Sequence, residues 1–182
     1  MSSTSQIRIA GIGGQGAVIA ADLLGEAGLL AGRHVAGSTR YGSAARGTPV
    51  RADLILSAEP IDDPHVHEPE LLVAMCQEAY DLYAPGVRAD GTVLYDDGEI
   101  APRDLGKVNQ HAVPALQTAL KQVGNRQTAN LVLVGALLAL TELLPLEALE
   151  RAIVAHVSPR FHEVNQQALR LGFQLGRAPG AD

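Results

Sequence analysis

The hydrophobic positions divide the chain into a first part, where short strands alternate with helices, and a helical last third. Residues 7–10 are predicted to form a short strand. The run from Ala17 to Ala31 is apolar around most of its circumference, as is typical of a largely buried helix. A weak second strand is predicted at 33–37. These elements predict a β-α-β unit with parallel strands and a right-handed crossover.

The alternation of element types continues after this unit. An alternating apolar pattern predicts a strand at 49–57, and the continuous apolar run 71–75 is typical of a central parallel strand. Further elements are predicted as a helix at 78–83, a strand at 92–96, a helix at 113–123 with Pro114 at its first position, helices at 127–144 and 146–157, and a last helix opened by Ser158 and Pro159. The chain is thus predicted to be an α/β protein: a doubly wound, mostly parallel sheet flanked by helices, with a helical C-terminal third.

Length and composition narrow the class of protein. The 182 residues suit one compact domain over residues 1–176, with 177–182 as a frayed tail. Apolar residues make up 47% and aromatic residues 3%, which indicates a core of Ala, Val, Leu and Ile. A net charge of −6 argues against nucleic-acid binding. The longest apolar run, 131–140, is too short to cross a bilayer, and the polar start lacks a secretory signal, which predicts a cytoplasmic protein.

The segment around which the chain is organised is the glycine-rich turn between the first strand and the first helix. Its motif, Gly11-x-Gly13-Gly14-Gln15-Gly16, requires glycine because the chain reverses in a small space. A glycine turn that feeds a helix leaves backbone N–H groups unpaired at the positive end of the helix dipole. The turn is therefore a candidate site for an anion such as phosphate, with the Gln15 amide as a further donor.

Three interpretations of this turn stay open at the level of sequence: a purely structural tight turn, a phosphate or carboxylate site, and a dinucleotide site. The spacing Gly11-x-Gly13-x-x-Gly16 matches the dinucleotide fingerprint. That fingerprint also needs an acidic residue about 20 positions later, on the ribose. Here the second strand ends in Ala36-Gly37-Ser38, which disfavours NAD.

A loop at 38–48 is the second candidate site. It has neither helical nor strand periodicity and contains Arg40, Tyr41, Gly42, Arg46 and Gly47. Two cations and a phenol beside flexible backbone suit recognition of an anionic group or of a partner's acidic surface, and a solvated surface loop is the alternative.

The remaining reactive residues do not form a catalytic set. Cys76 is the only cysteine, so this chain holds neither a disulfide nor an iron–sulfur cluster, and a buried thiol is expected. His65 and His67 lack a third metal ligand nearby. Asn130 and Asn165 lie beside apolar helix stripes and are expected to fix a loop or touch a partner. No residue is assigned as catalytic or metal-binding.

Several motifs in fixed order resemble the gamma subunit of 2-oxoacid:ferredoxin oxidoreductases. They comprise the glycine turn followed by Ala17-Val18, the segment Tyr41-Gly42-Ser43-Ala44-Ala45-Arg46-Gly47, Glu59-Pro60-Ile61, residues 72–79, Asn130 with Gly135-Ala136-Leu137, and residues 165–172. The resemblance covers about residues 6–173. The family loop usually reads Tyr-Gly-Pro-Glu-x-Arg-Gly-Gly, so Ser43, Ala44 and Thr48 depart from it and remove its acidic group.

The resemblance implies a subunit of a complex that oxidatively decarboxylates a 2-oxoacid to an acyl-CoA. It places thiamine diphosphate on alpha and beta subunits and [4Fe-4S] clusters on a ferredoxin-like chain. By similarity, the N–H groups of Gly13, Gly14, Gln15 and Gly16, with Arg46, are expected to receive CoA phosphates. The alternatives are a free-standing nucleotide-binding protein or small NAD(P)-dependent dehydrogenase, and an assembly protein remote from the active site.

Overall fold

A computed structural model describes residues 4–42 and 49–178, which form a mixed sheet with helices on both faces. Its strands are β1 (Thr4–Ile12), β2 (His34–Arg40), β3 (Pro49–Ser57), β4 (Leu71–Ala74), β5 (Thr92–Asp96) and β6 (Asn109–Val113). They lie in the order β2-β3-β1-β4-β5-β6. Only β3 is antiparallel to its neighbours, so the prediction of a mostly parallel α/β sheet is confirmed.

The first strands are arranged differently from the predicted β-α-β unit. β1 and β2 point the same way, but they do not pair, because β3 lies between them and is antiparallel to both. The reason is burial. The last six residues of β3 are all buried, whereas β2 is mostly exposed and takes the edge of the sheet. β2 also extends to Arg40, a residue that was expected in the following loop.

The helices largely follow the predicted pattern. They are α1 (Ala17–Leu30), α2 (Gln77–Tyr83), α3 (Ala115–Thr118, continued by a π-helical turn Ala119–Val123), α4 (Ala129–Thr141), α5 (Leu146–His156) and α6 (His162–Arg177). The predicted start of the helix at 113–123 was wrong, since Pro114 precedes α3 and follows β6. β6 was not predicted, because only Val113 of its five residues is buried. None of the described helices has the length and apolarity needed to cross a bilayer.

Side chains of the central strands alternate between two apolar layers. Ile7 and Ile9 of β1 pack in the larger layer, which contains α1, α4, α5 and α6, whereas Ala10 joins Leu72 and Tyr80 in the layer under α2. This alternation is the period-two pattern of a sheet covered on both faces. The larger layer is the one that carries the helical last third of the chain.

A buried ion pair joins β3 to β1 on the α2 side. Arg8 and Asp53 are register partners, and the guanidinium binds both carboxylate oxygens at 2.6 and 3.0 Å. Arg51 adds a contact to Asp53 at 3.2 Å. The two guanidinium carbons lie 5.3 and 5.7 Å from the centre of the Tyr83 ring. A shift of β3 along β1 would separate Arg8 from Asp53 and leave buried charges unpaired. The ion pair therefore fixes the register of β3, the strand inserted between β1 and β2.

Helices α4 and α6 approach so closely that their contact admits only glycine at three positions. A Cβ atom on Gly135 would lie 2.1 Å from the Leu169 carbonyl oxygen, and one on Gly172 would lie 2.0 Å from that of Val132. Gly176 is similarly close to Ala136, at 2.6 Å. The obstacles are backbone atoms, so the helices must separate to admit any side chain.

We predict that Gly172→Ala lowers the free energy of unfolding of the purified subunit by about 3 kcal/mol, because overpacking forces α6 away from α4. Urea unfolding measures the change. Gly86→Ala is the matched control, since a Cβ there meets no atom within 4 Å, and its effect should stay within about 0.5 kcal/mol. Equal stability of the two variants would contradict the close packing of α4 on α6.

Candidate functional site

The glycine turn lies at the edge of the sheet where the parallel strands end. It joins β1 to α1, next to Met75 after β4 and Asp96 at the end of β5. Open α/β sheets bind ligands at this edge, near the strand where the chain switches direction across the sheet. Gly14 and Gly16 have φ angles of 94° and 79°, a left-handed conformation that favours glycine. The predicted need for glycine in the turn is confirmed at these two positions.

The side chain of Gln15 is engaged within the protein. Its Oε1 accepts a hydrogen bond from the Ile12 N–H at 2.8 Å, and its Nε2 donates to the Met75 carbonyl at 2.9 Å. Its own backbone N–H donates to the Ile12 carbonyl at 3.2 Å. The structure therefore differs from the expectation that Gln15 offers free donors to a ligand, because the amide ties the turn to the end of β4.

Asn130, at the start of α4, holds the turn from the other side. Its Nδ2 donates to the Gly16 carbonyl at 3.1 Å, and its Oδ1 accepts from the Leu131 N–H at 2.8 Å. The side chain is buried, so the expectation that this amide fixes a loop is confirmed. Asn165 instead donates to the Phe161 carbonyl, one turn earlier near the start of its own helix.

Among the described residues, the backbone N–H groups of Gly13, Gly14 and Gly16 have no hydrogen-bond acceptor. A Cβ atom on Gly13 or Gly14 would meet nothing within 4 Å, so the space beside these two residues is open. The three N–H groups stand before the first turn of α1, where the helix dipole favours negative charge.

A cavity of about 240 Å³ opens on the inner side of the turn. The N-terminal end of α4 forms its opposite wall, and the 3-10 turn Arg126–Thr128 just before that helix contributes Arg126 as a cation. Asp96 and Glu99 contribute carboxyl groups. The cavity is lined by Gly14, Gln15, Met75, Asp96, Glu99, Leu116, Arg126, Gln127, Ala129, Asn130 and Leu133. The glycine turn, Arg126 and the helix start together make part of this cavity favourable to an anion.

Asp96 is a buried carboxyl group that organises the floor of the cavity. Its Oδ2 accepts from the Leu116 N–H at 2.7 Å and its Oδ1 from the Gly98 N–H at 3.1 Å. Burial raises the pKa of Asp96 above its ordinary value of 3.8, and these two N–H donors oppose the shift. The carboxyl group thus links the end of β5 to the start of α3.

The second predicted site, the loop at 38–48, is only partly described. Arg40 is the last residue of β2, and Tyr41 and Gly42 follow it, whereas Arg46 and Gly47 lie outside the described residues. Tyr41 is 68% exposed and lines an apolar groove of about 230 Å³ on the outer side of the turn, with Ile12, Val18, Ile19 and Val50. Tyr41, at the start of this loop, therefore lies beside the turn.

The other reactive side chains lie outside the turn. Cys76 is buried, as predicted, and burial raises the pKa of its thiol. His65 and His67 both bind Asp63, at 2.8 and 3.0 Å, and these hydrogen bonds lower the pKa of Asp63 to about 2. Residues 4–42 and 49–178 contain no group of three or more His, Cys, Asp or Glu that could hold a metal ion.

Sequence reasoning missed Asp96 and Arg126 as site residues. Asp96 ends a predicted strand at the ligand edge of the sheet, so its position was a usable signal. Arg126 carries no such signal, because only the packing of α4 brings it opposite the turn.

We predict that Asp96 makes stability depend on pH in a definite direction. Its pKa is raised in the folded state, so its contribution is full below pH 3.8 and declines as the pH rises through the folded-state pKa. The stability of the wild type relative to Asp96→Asn should therefore fall as the pH rises above 3.8 and then level off. Urea unfolding across this range measures it. Asp104→Asn, an exposed carboxyl that accepts one N–H bond, is the control, and a flat Asp96 curve contradicts the assignment.

Comparisons with known proteins agree with the fold and with the motifs. Residues 6–175 match the model of the family described as pyruvate ferredoxin/flavodoxin oxidoreductase. The chain is 38% identical to 2-oxoglutarate synthase subunit KorC of Archaeoglobus fulgidus, over 94% of this chain and 87% of that protein. It is 33% identical to KorC of Methanocaldococcus jannaschii, over 94% of each chain.

A solved structure shows the same arrangement. The gamma subunit of keto/oxoacid ferredoxin oxidoreductase from Geobacter sulfurreducens is 31% identical and superposes with a TM-score of 0.87, over 96% of this chain and 97% of that one. The resemblance to gamma subunits is therefore confirmed over nearly the whole length. This chain belongs to the pyruvate ferredoxin/flavodoxin oxidoreductase family.

Proposed function

We propose that this chain is the gamma subunit of a cytoplasmic complex that oxidatively decarboxylates a 2-oxoacid to an acyl-CoA, and that its glycine turn holds the phosphates of CoA. The observation that carries the proposal is a set of three N–H groups, at Gly13, Gly14 and Gly16, that have no acceptor among the described residues. The space beside Gly13 and Gly14 is open, and Gly14 lines the cavity that also contains Arg126. Relatives of full length that are named as subunits of 2-oxoglutarate synthase support the assignment to a complex.

The residues of this chain fit neither the iron–sulfur clusters nor the thiamine diphosphate of such a complex. A [4Fe-4S] cluster needs several thiolates, and the sequence has one cysteine, which is buried. Thiamine diphosphate is held through a divalent cation, and the described residues offer no cluster of three metal-binding side chains. We assign thiamine diphosphate, which supplies carbanion stabilisation, to the alpha and beta subunits, and the clusters to a ferredoxin-like subunit.

CoA is the part of the reaction that suits the residues of this chain. Its phosphates carry several negative charges, and unpaired N–H groups at a helix start bind such groups through hydrogen bonds and the dipole. The thiol at the far end of CoA must reach the acyl group on a companion subunit. In the assembled complex, the edge of the sheet with the turn would therefore face that subunit.

The topology argues against the dinucleotide alternative. In that fold the second parallel strand pairs with the first, and an acidic residue at its end binds the ribose. Here β3 occupies the place beside β1, and β2 ends in Ser38, Thr39 and Arg40 at the edge. The strand beside β1, whose end would bind the ribose in a dinucleotide-binding fold, is therefore replaced here by the antiparallel strand β3.

We predict that Gly13→Val raises the KM for CoA of the assembled complex about tenfold. Gly13 has ordinary φ and room for a side chain, so the variant should fold, while the added groups block access to the neighbouring N–H groups. Loss of one charge-assisted hydrogen bond corresponds to about this factor. Steady-state kinetics with varied CoA measure it, and the KM for the 2-oxoacid should not change.

Gly86→Ala in the same complex is the control for a tolerated glycine substitution. An unchanged KM for CoA in Gly13→Val, with the complex intact by size-exclusion chromatography, would show that the turn does not contact CoA and would favour a subunit remote from the active site. Nicotinamide binding by the isolated chain would instead support a dehydrogenase.

We further propose 2-oxoglutarate as the 2-oxoacid, because the most similar full-length relatives reported above are 2-oxoglutarate synthase subunits. The purified complex should turn over 2-oxoglutarate at least tenfold more efficiently, in kcat/KM, than pyruvate or 2-ketoisovalerate. Reduction of a viologen dye measures the rate for each acid. A higher kcat/KM for pyruvate would overturn this assignment and leave the CoA proposal unaffected.

A further inference from the structure

We propose that Gln15 and Asn130 are positioning residues that hold the glycine turn in its binding conformation. This inference rests on the proposed role of the turn in CoA binding. It divides the four glycines into two groups: Gly11 and Gly16 admit the two amide side chains, and Gly13 and Gly14 face the ligand. We call Gln15 and Asn130 the amide clamps.

The first argument is the space around the outer glycines. A Cβ atom on Gly11 would lie 2.6 Å from the Oε1 of Gln15, and one on Gly16 would lie 2.5 Å from the Nδ2 of Asn130. In both cases the nearest atom is the polar end of a clamp. Glycine at these positions therefore provides the room in which the amides reach the backbone of the turn.

The second argument is the space around the inner glycines. Gly13 and Gly14 lie between the clamps, both are exposed, and neither has a neighbour that an added Cβ would meet. Their N–H groups are also among those without an acceptor in the described residues. The pattern is the one expected if the ends of the turn are fixed and its centre is kept for a ligand.

The third argument is the chemistry of the clamps. Gln15 joins an N–H group to a carbonyl, at Ile12 and Met75, so it must accept at one end and donate at the other. An amide does both without charge, whereas a carboxylate could not donate to Met75 and would repel an anion. Because a free glycine-rich segment loses much conformational entropy on ordering, a turn that is already held binds more tightly.

Gln15→Leu tests the proposal in the assembled complex. We expect the KM for CoA to rise about tenfold, with kcat at saturating CoA and the KM for the 2-oxoacid unchanged, because only the docking of phosphates is impaired. The inhibition constant of adenosine 3′-phosphate 5′-diphosphate against CoA should rise by the same factor. That of pantetheine, which lacks these phosphates, should not change. A purely structural role for Gln15 would not separate the two inhibitors.

A second variant, Gly11→Ala, displaces the side chain of Gln15 without replacing it. Gly11→Ala places a methyl group where the Gln15 oxygen lies, and should raise the KM for CoA as Gln15→Leu does. The double variant should show no further rise, since both changes remove one interaction. Gln77→Leu is the matched control. Gln77 is the first residue of α2, and its side-chain oxygen accepts from the Ala101 N–H at 2.8 Å. The loss of this hydrogen bond should leave both inhibition constants unchanged.

The outcomes separate this inference from the proposed function. If Gly13→Val raises the KM for CoA and Gln15→Leu does not, the turn binds CoA but the clamp does not position it, and the inference is overturned. If neither variant changes the KM, the proposed CoA site itself is wrong. Faster hydrogen exchange of the Ile12 amide in Gln15→Leu verifies that the clamp was lost.

Discussion

The close approach of α4 and α6 is the constraint on which the rest of the structure depends. Three glycines let the two backbones touch, which fixes the position of α4 over the sheet. Asn130 lies in the first turn of that helix, and its side chain donates to the Gly16 carbonyl, 114 residues away in sequence. The geometry of the turn is therefore set in part by a helix contact in the last third of the chain, and the compact packing of small residues there serves the site as well as the core.

The inserted strand is the second determinant of the architecture. The pairing of Arg8 with Asp53 is buried, and it links neighbouring positions of β1 and β3. Such a pair adds little net stability but penalises any other register strongly, since a shifted strand would leave two charges unpaired. It thereby keeps β3 beside β1 and separates this fold from the dinucleotide-binding arrangement that the glycine spacing resembles.

Much of the fold could be predicted from the sequence because it depends on local pattern. The strand 49–57 and the helix at 17–31 agree with the structure to within a residue, since each has a clear apolar period. Strand order depends on distant contacts, so the insertion of β3 was not predicted, and the polar edge strand β6 had no period to detect. In the site, the need for glycine was predictable. The engagement of Gln15 was not, because its partner Met75 is brought near by the pairing of β1 with β4.

Cys76 has a consequence for how the assembled protein responds to oxidants. Only the deprotonated sulfur reacts readily with peroxides or alkylating reagents, and this thiol is buried and keeps its proton at neutral pH. The chain therefore contributes little cysteine-based sensitivity to air. Peroxides and alkylating reagents should therefore leave the sulfur of this subunit unmodified for as long as the fold around Cys76 stays intact.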